Sequence, residues 1–416
     1  MAKVLVVRYE GTPFAIRMSK VIRTILGVGW HCDILIPKEG MGEINVSREM
    51  GWDLERKTNL FEFPTPSTTA ERLEAKLLGP RPLRDRLFQV YLTQMLRSRE
   101  YDVVLVKDTL CLAQVFEAVR AADQREPVVV CDMYENATEQ WYDHLIRFGT
   151  WRSRAATAIR ASISRLRRVE RACLPKCDHI FVVVEEARDY LVQRYRIQPS
   201  KISVVHNVEI LSEFDRIPAP SQSLATNGEI LISYVGGLGA HRGIEILIDS
   251  LPTVAARTHL PFRVAIVGAR DKEKDDLMKL RMCRGLEEYV TIVGYVPHVA
   301  AMQWIKASQI GVIPHRDTGF VRTTIPNKLF QYMAARAMCV VADVGALGRI
   351  VRETGCGLTF RPGSAASLAS QLEKALENPE QTRTMALKGR MKVESDYRWE
   401  TEGELYAEYF SSLAAK

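Results

Sequence analysis

The feature that most constrains the fold is a series of short, continuous apolar runs, separated by segments with helical periodicity. In the first half of the chain the runs are KVLVV (3–7), CDILIP (32–37), VVLVK (103–107), VVVCD (128–132), HIFVVV (179–184) and ISVVHN (202–207). In the second half they are ILISYVG (230–236), RVAIVG (263–268), VTIVG (290–294), IGVIP (310–314) and CVVAD (339–343). Continuous runs are typical of strands buried on both faces of a parallel sheet. The alternation of strand and helix therefore predicts a doubly wound α/β fold.

A segment rich in proline and serine, LSEFDRIPAPSQSLATNGE, separates the two series of strands and is typical of a linker. We therefore predict one α/β domain over 1–210, a linker over 211–229 and a second α/β domain over 230–395. The tail, 396–416, has a helical pattern and either packs within the second domain or crosses back to the first. Ligands of open α/β sheets bind beyond the carboxyl ends of the strands, so we expect a site in a cleft between the domains.

Composition narrows the class of protein. The 416 residues are 47% hydrophobic with a net charge of +7, which is modest for this length and does not imply nucleic acid. The eight cysteines lack zinc-site or redox-motif spacing, which favours buried, reduced thiols. No apolar run approaches the roughly 18 residues of a membrane span, and the first apolar run is too short for a signal peptide. We expect a cytoplasmic protein that at most lies on the inner face of a membrane.

A glycine-rich turn, GGLGAHRG (236–243), follows the first strand of the second series. Gly236, Gly237 and Gly239 let the backbone come close to a ligand, and Arg242 lies where the next helix starts. Glycines, an arginine and a helix N-terminus together predict an anion site. A plain tight turn with a surface arginine is the alternative. A dinucleotide fingerprint is disfavoured because the glycine spacing is one residue too long.

The segment TTIPNKLFQYM (323–333) predicts a second anion site. Pro326 fits the first helical position, and the free amides of the first turn, with Lys328, would point at the ligand. Two such sites on one domain suit a diphosphate better than a single phosphate. The alternative is that Lys328 is an ordinary surface charge.

In the first domain, Gly11 lies in the loop after the first strand and is expected to close over the ligand, unless that loop is a simple connection. Tyr134 and Glu135 follow the strand at 128–132 and either contact the reacting group or cap the next helix. The sequence contains no Asp-x-Asp triplet, no His/Cys/carboxylate cluster at metal spacing and no Gly-x-Ser-x-Gly elbow. We therefore expect neither a metal nor a resident cofactor.

Four stretches resemble family 4 glycosyltransferases: YVGGLGAHRG, VTIVGYV, PNKLFQYMAA with the following CVVAD, and the segment from FVVVEE to SVVHNVEI. The resemblance implies the GT-B fold, in which two Rossmann-like domains of doubly wound parallel sheets face a cleft. It also implies retaining transfer of a sugar from a nucleotide sugar to a hydroxyl acceptor, without a metal. Many members act on lipid-linked sugars or glycans in polysaccharide or glycolipid biosynthesis of the cell envelope.

The resemblance assigns residue roles. Arg242 would neutralise the leaving diphosphate, Gln331 would hold the ribose, and Tyr295 and Val296 follow the nucleobase strand. With Gly11, the donor-binding set is Gly236, Gly237, Gly239, Tyr295, Val296, Thr323, Thr324, Ile325, Pro326, Asn327 and Gln331. The catalytic set is Arg242, Lys328, Tyr134 and Glu135.

The sequence departs from the family pattern in three ways. Thr323 and Gln331 replace its two glutamates, Gly237 replaces a second basic residue, and Tyr134 replaces a histidine. The base, the sugar and the acceptor therefore stay open. Two other functions stay open as well: a nucleotide-sugar 2-epimerase, and a non-catalytic nucleotide-binding scaffold of the same fold.

The segment from 147 to 171 is strongly basic, with eight arginines against one acid, Glu170. Its apolar residues fall on one helical face, and aromatic residues precede it. Such a helix can dock on an anionic membrane or on a lipid-linked acceptor through its arginines, among them Arg160, Arg165, Arg167 and Arg168. The alternative is a surface helix that packs its apolar face on the sheet. Nucleic acid is not expected, because the sequence contains no known nucleic-acid-binding module.

Overall fold

The structure, a computed structural model, describes residues 2–9, 15–37, 50–63, 80–147, 157–220 and 228–414. The chain divides into two compact units: unit 1 is Met1–Val205 with Gly403–Lys416, and unit 2 is His206–Glu402. The predicted linker, 211–229, begins with a helix that belongs to unit 2 and buries Leu211 and Phe214. The first part of the predicted linker is therefore packed within unit 2, although its composition is typical of a linker. Residues 221–227 lie outside the described residues.

Unit 1 is built on a parallel sheet of seven strands among the described residues, in the order β3-β2-β1-β4-β5-β6-β7. The strands are β1 (Lys3–Arg8), β2 (His31–Pro37), β3 (Asn59–Phe63), β4 (Val103–Lys107), β5 (Val128–Met133), β6 (His179–Val182) and β7 (Ile202–Val204). The order reverses between β1 and β4, which is where ligands of open sheets bind. Arg8, Lys107 and Asp132 lie side by side across β1, β4 and β5 at this point.

The helices of unit 1 connect these strands. They are α1 (Ile16–Gly27), α2 (Leu54–Lys57), α3 (Pro80–Ser98), α4 (Leu112–Ala122), α5 (Ala137–Tyr142), α6 (Thr157–Cys173) and α7 (Glu185–Tyr195). A π-helical turn spans Asp143–Arg147, and 3-10 turns span Leu174–Lys176 and Pro199–Lys201.

Unit 2 has a parallel sheet of six strands among the described residues, in the order β10-β9-β8-β11-β12-β13. The strands are β8 (Ile230–Val235), β9 (Phe262–Ala269), β10 (Val290–Gly294), β11 (Ile310–Ile313), β12 (Met338–Ala342) and β13 (Gly357–Phe360). The order reverses between β8 and β11, so the loops after these two strands meet at one edge of the sheet.

The helices of unit 2 are α8 (Leu211–Arg216), α9 (Ile244–Arg257), α10 (Asp271–Cys283), α11 (His298–Ala307), α12 (Gly319–Arg322), α13 (Asn327–Ala334), α14 (Gly345–Thr354), α15 (Ala365–Glu377), α16 (Pro379–Ser395) and α17 (Trp399–Glu402), with a 3-10 turn at Ala240–Arg242.

The last helix, α18 (Glu404–Ala414), belongs to unit 1. Tyr406 stacks on Phe181 with ring centroids 3.9 Å apart, and Phe410 packs edge-on against Trp30 at 5.3 Å. Aromatic side chains therefore hold the end of the chain on the sheet of unit 1.

The burial of the strands agrees with the apolar runs in the sequence. β1, β4, β5 and β12 are almost entirely buried, as continuous apolar runs predict. Seven of the cysteines are buried as expected, whereas Cys283, near the end of α10, is exposed. Among the described residues, no helix is both long and apolar enough to cross a bilayer.

Candidate active site

The glycine turn after β8 is held by a close backbone approach. Gly236 has a φ of +130° and donates its amide to the carbonyl of Val267 at 2.9 Å. A Cβ on Gly268 would lie 2.7 Å from the Gly236 carbonyl oxygen, so only glycine fits there. The Tyr234 hydroxyl donates to the carbonyl of Gly237 at 2.5 Å and holds the other side of the turn. The turn is thus fixed before any ligand arrives.

Arg242 ends the 3-10 turn directly before α9, and its amide donates to the Gly239 carbonyl at 2.7 Å. The next residue, Gly243, has a φ of +65°, and a Cβ there would lie 2.2 Å from the Pro314 carbonyl oxygen. The turn after β8 therefore packs directly on the loop after β11. This loop leads to the second predicted anion site, at the start of α13.

His315 comes from the loop after β11 and is 3% exposed. Burial, and then the positive charge of Arg242, hold the pKa of His315 well below its usual value, so the ring is neutral. Its Nε2 lies 3.4 Å from Nη1 of Arg242 and accepts a long hydrogen bond, because a guanidinium can only donate. His315 was not predicted, since a lone histidine after a strand carries no distinctive pattern.

The second predicted anion site is the N-terminus of α13. Pro326 lies one position earlier than predicted, at the N-cap, and no side chain caps this end. Thr324, Pro326 and Asn327 are half-buried, and Ile325 is buried. An uncapped helix start presents backbone amides and the positive end of the helix dipole to an anion.

Lys328 is not the surface charge that the alternative prediction allowed. Its side chain is buried, with 6% of the residue exposed, and Nζ lies 3.6 Å from the centroid of the Tyr234 ring. A Cβ on Gly236 would lie 3.0 Å from the same Nζ. Within the part of the chain that the structure describes, Nζ has no hydrogen-bond partner. The glycine turn, Arg242 and Lys328 thus converge on one place in unit 2.

Gln331, one turn further along α13, donates its side-chain amide to the carboxylate of Glu209 at 2.7 Å. Glu209 is a polar residue at this site that sequence reasoning missed; it lies two residues after the run ISVVHN. The Thr323 hydroxyl donates to the backbone of α12, at 3.1 Å from the Gly319 carbonyl oxygen. Tyr295 is 57% exposed after β10, and Val296 is half-buried beside it.

In unit 1 a buried ion cluster lies at the carboxyl ends of the strands. Asp132 is fully buried and accepts from Lys107 at 2.8 Å, Arg17 at 3.1 Å and the Tyr406 hydroxyl at 2.9 Å. Burial alone would raise the pKa of Asp132, but the two cations lower it below the usual value. The carboxylate of Asp132 thus belongs to a structural network of hydrogen bonds and ion pairs, and its bond to Tyr406 also holds α18 in place.

Asp108, directly after β4, is a second polar residue that the sequence did not indicate. Its backbone is left-handed, with a φ of +74°, and Oδ1 is buried without a hydrogen-bond partner among the described residues. Burial raises the pKa of Asp108 to about 7; Lys107 and Arg8 oppose this rise, and Glu135 adds to it. A carboxyl group with such a pKa can hold or release a proton near neutral pH.

Tyr134 and Glu135 lie beside Asp108 at the same edge. The Lys107 ammonium is 3.8 Å from the centroid of the Tyr134 ring, and burial raises the pKa of the Tyr134 hydroxyl. Neither residue caps α5, because its N-cap is Asn136, whose side chain accepts from the amide of Glu139 at 3.2 Å. Glu135 instead accepts from Gln140 at 3.0 Å. Gly11 lies outside the described residues.

The basic segment forms α6, and its apolar face is used within unit 1: Ile163 and Leu166 are about 5% exposed or less. Arg165 pairs with Asp85, and Arg167 pairs with Glu139, each at 3.4 Å. Arg168 is exposed, and the side chain of Arg160 lies outside the described residues. The structure therefore agrees with the alternative prediction for the described part of α6: it is a surface helix that packs its apolar face within unit 1 and carries arginines on its outer face.

Among the described residues, no group of three or more His, Cys, Asp or Glu side chains is arranged to hold a metal ion.

Comparison with known families matches both halves of the chain. Residues 229–378 match the model described as "Glycosyl transferases group 1", and residues 62–208 match "Glycosyltransferase Family 4". Related sequences include the alpha-D-kanosaminyltransferase of Streptomyces kanamyceticus, 23% identical over 52% of this chain and 56% of that protein. A D-inositol 3-phosphate glycosyltransferase of Nocardia farcinica is 24% identical over 53% of this chain and 49% of that protein. The chain thus spans about half the length of the curated relatives it matches.

Solved structures with the same fold cover the whole chain. A sucrose-phosphate synthase from Thermosynechococcus elongatus has a TM-score of 0.75 at 17% identity, with 100% of both chains covered. The Anabaena protein HepE, in complex with UDP, has a TM-score of 0.70 at 14% identity and covers 99% of this chain and 100% of its own. These likenesses, with the two parallel sheets, confirm the predicted GT-B class of fold.

Proposed function

Because the chain belongs to the glycosyltransferases of group 1 and family 4, we propose that it transfers a sugar from a nucleotide sugar to a hydroxyl acceptor with retention at the anomeric carbon. The observation that carries this proposal is the convergence in unit 2 of the Gly236 turn, Arg242, Lys328 and the uncapped N-terminus of α13. Backbone amides on two sides, with two basic side chains, suit a diphosphate.

The chemistry follows from where charge develops. The bond between the anomeric carbon and the phosphate oxygen breaks, and its electron pair goes to the departing diphosphate. The acceptor oxygen bonds to the same face of the sugar and gives its proton to an oxygen of that diphosphate. Arg242 and the amides of the fixed turn stabilise the added negative charge without having to reorganise.

The first test measures how much Arg242 stabilises the departing diphosphate. Removing one positioned donor to a developing oxyanion costs about 2–4 kcal/mol, which corresponds to about a 30- to 1000-fold loss in kcat/KM. Arg242→Ala should show this loss. Arg257→Ala is the matched control, since that side chain is 64% exposed and lies at the far end of α9. Equal turnover in the two variants would contradict the assignment.

Identifying the donor comes first experimentally. Thermal shift with UDP, GDP, ADP and CMP, and with their sugars, should give one base that stabilises the wild-type protein more than it stabilises Arg242→Ala. The identified nucleotide sugar, incubated without acceptor, then separates transfer from 2-epimerisation. We expect no epimer, because the side chains that meet at the glycine turn are basic or neutral rather than carboxylic: Arg242, His315, Lys328 and Tyr234.

For the acceptor, we propose a glycan or lipid-linked sugar of the cell envelope, with the protein bound peripherally at the inner face of the membrane. Similar folds occur in WaaG, described as a glycosyltransferase involved in lipopolysaccharide biosynthesis, with a TM-score of 0.66 at 14% identity. Since the described apolar face of α6 is packed, contact with lipid would be electrostatic, through the exposed Arg168 and Arg171.

Flotation with liposomes tests the membrane proposal. Binding should require anionic lipid and should be lost at high salt, because surface charges are screened over about 10 Å at 0.1 M salt. A protein that stays unbound on anionic vesicles at low salt would refute it.

A further inference from the structure

Lys328 occupies an environment that disfavours an ammonium group. Its Nζ is buried against the Tyr234 ring and the Gly236 turn and has no hydrogen-bond partner among the described residues. An ammonium carries three donors and requires acceptors for them, and burying it without acceptors is unfavourable. Burial, and then the charge of Arg242, lower the pKa of Lys328 well below its usual value.

The groups that face Lys328 do not offer a compensating charge. Arg242 from the 3-10 turn is cationic, and His315 and His241 lie beside it. Tyr234 from β8 stays protonated, because burial raises its pKa to about 12. The acid Glu209, in the segment after β7, accepts a hydrogen bond from Gln331, which lies one turn after Lys328 on α13. A bound diphosphate would supply the negative charge and the acceptor oxygens that this pocket lacks.

We propose that Lys328 is a neutral amine in the empty site and gains a proton from solvent when the diphosphate of a nucleotide sugar binds. This inference rests on the proposed function. Binding is then coupled to uptake of one proton, and the ammonium forms three hydrogen bonds only in the complex. The affinity for the nucleotide sugar rises as the pH falls, by up to about tenfold per pH unit, because the bound state holds one more proton.

Nucleotide sugars are better probes of this coupling than free nucleoside diphosphates. The phosphates of a sugar diphosphate diester remain ionised throughout the neutral range, so they do not exchange protons on binding. The terminal phosphate of a free nucleoside diphosphate titrates near neutral pH, as phosphate monoesters do, and would obscure the signal.

Isothermal titration calorimetry at pH 8 in buffers of different ionisation enthalpy measures the uptake directly. UDP-glucose, GDP-mannose and ADP-glucose are titrated into the full chain in PIPES, HEPES and Tris. For the sugar nucleotide that binds, the observed heat should vary linearly with the buffer enthalpy, with a slope of about one proton taken up. Binding heat that is the same in all three buffers would overturn the proposal while leaving the proposed function standing. No heat with any of the three would count against the proposed function itself.

The same calorimetric experiment on variants of Lys328 and His315 shows which side chain takes up the proton. Lys328→Met should bind more weakly with a slope near zero, and Lys328→Arg should also lose the slope because an arginine stays charged. Lys279→Met, at an exposed position on α10, should behave as the wild type. His315→Gln should keep the slope. Loss of the slope in His315→Gln, with retention in Lys328→Met, would place the proton on His315 and refute the assignment to Lys328.

Discussion

Replacing Asp108 by asparagine should make the protein more stable at neutral and alkaline pH. The wild-type carboxyl has a buried, unpaired Oδ1 and a pKa raised from 3.8 to about 7 by burial. The folded state therefore binds a proton more tightly than the unfolded state. Asparagine has nearly the same shape and tolerates the left-handed φ of +74° as well as aspartate does, so the substitution removes the titration and little else.

The sign and size of the effect follow from linkage. Because the folded state holds its proton up to about pH 7, wild-type stability falls as the pH rises from about 4 to about 7, at up to about 1.4 kcal/mol per pH unit. Between pH 5 and pH 7 this amounts to at most about 3 kcal/mol. Because the carboxyl of the folded state itself begins to titrate near pH 7, the slope falls toward the end of this range, and we expect about 2 kcal/mol.

Urea unfolding of both proteins at several pH values from 5 to 8, followed by circular dichroism, measures this difference. The advantage of Asp108→Asn should grow from pH 5 to pH 7 and then stay constant. Asp123→Asn is the matched control, because Asp123 also has a positive φ, of 51°, but is exposed. Its stability should parallel that of the wild type. A difference between Asp108→Asn and the wild type that does not change with pH would refute the reasoning.

Two further predictions concern the glycine turn. Gly236→Ala places a Cβ 3.0 Å from Nζ of Lys328 at a φ of +130°, so nucleotide-sugar affinity in calorimetry should fall by about tenfold or more; Gly363→Ala, with a φ of +77° in open space, should leave it unchanged. Tyr332→Phe removes the hydroxyl that bonds the Ser233 carbonyl and the Val235 amide, and should lower the free energy of urea unfolding by about 1–3 kcal/mol. An unchanged unfolding free energy would contradict a stabilising role of that hydroxyl.

The sequence predicted eleven of the thirteen strands that the structure describes and missed two edge strands, β3 and β13. Continuous apolar runs identify a strand covered on both faces, as in β4 and β12. β3 and β13 lie at the edges of their sheets and are half-buried, so NLFEF and GLTF carry too few apolar residues to form such a run. Arg242 and the glycine turn could be predicted because their constraint is local: a tight turn before a helix.

The parts of the site that depend on contacts between distant residues could not be predicted. Gln331 and Glu209 are 122 positions apart, and the sequence has no signal that pairs them. The side chain of Lys328 on α13 is buried against Tyr234 on β8, whereas a lysine in a first helical turn is usually exposed. The arginines of α6 suggested a free basic surface, but one of them, Arg165, pairs with Asp85. Asp85 lies on α3, 80 positions earlier in the sequence.

The most direct test of the account is a comparison of nucleotide affinities in the wild-type protein and in Arg242→Ala. Calorimetry with a nucleoside diphosphate and the matching monophosphate, for the base chosen by thermal shift, isolates the contribution of the second phosphate. If the glycine turn, Arg242 and the start of α13 hold a diphosphate, the diphosphate should bind the wild type at least about tenfold more tightly than the monophosphate, and Arg242→Ala should lose most of that preference. Equal affinities for both nucleotides in the wild type, or a preference unchanged in Arg242→Ala, would contradict the account.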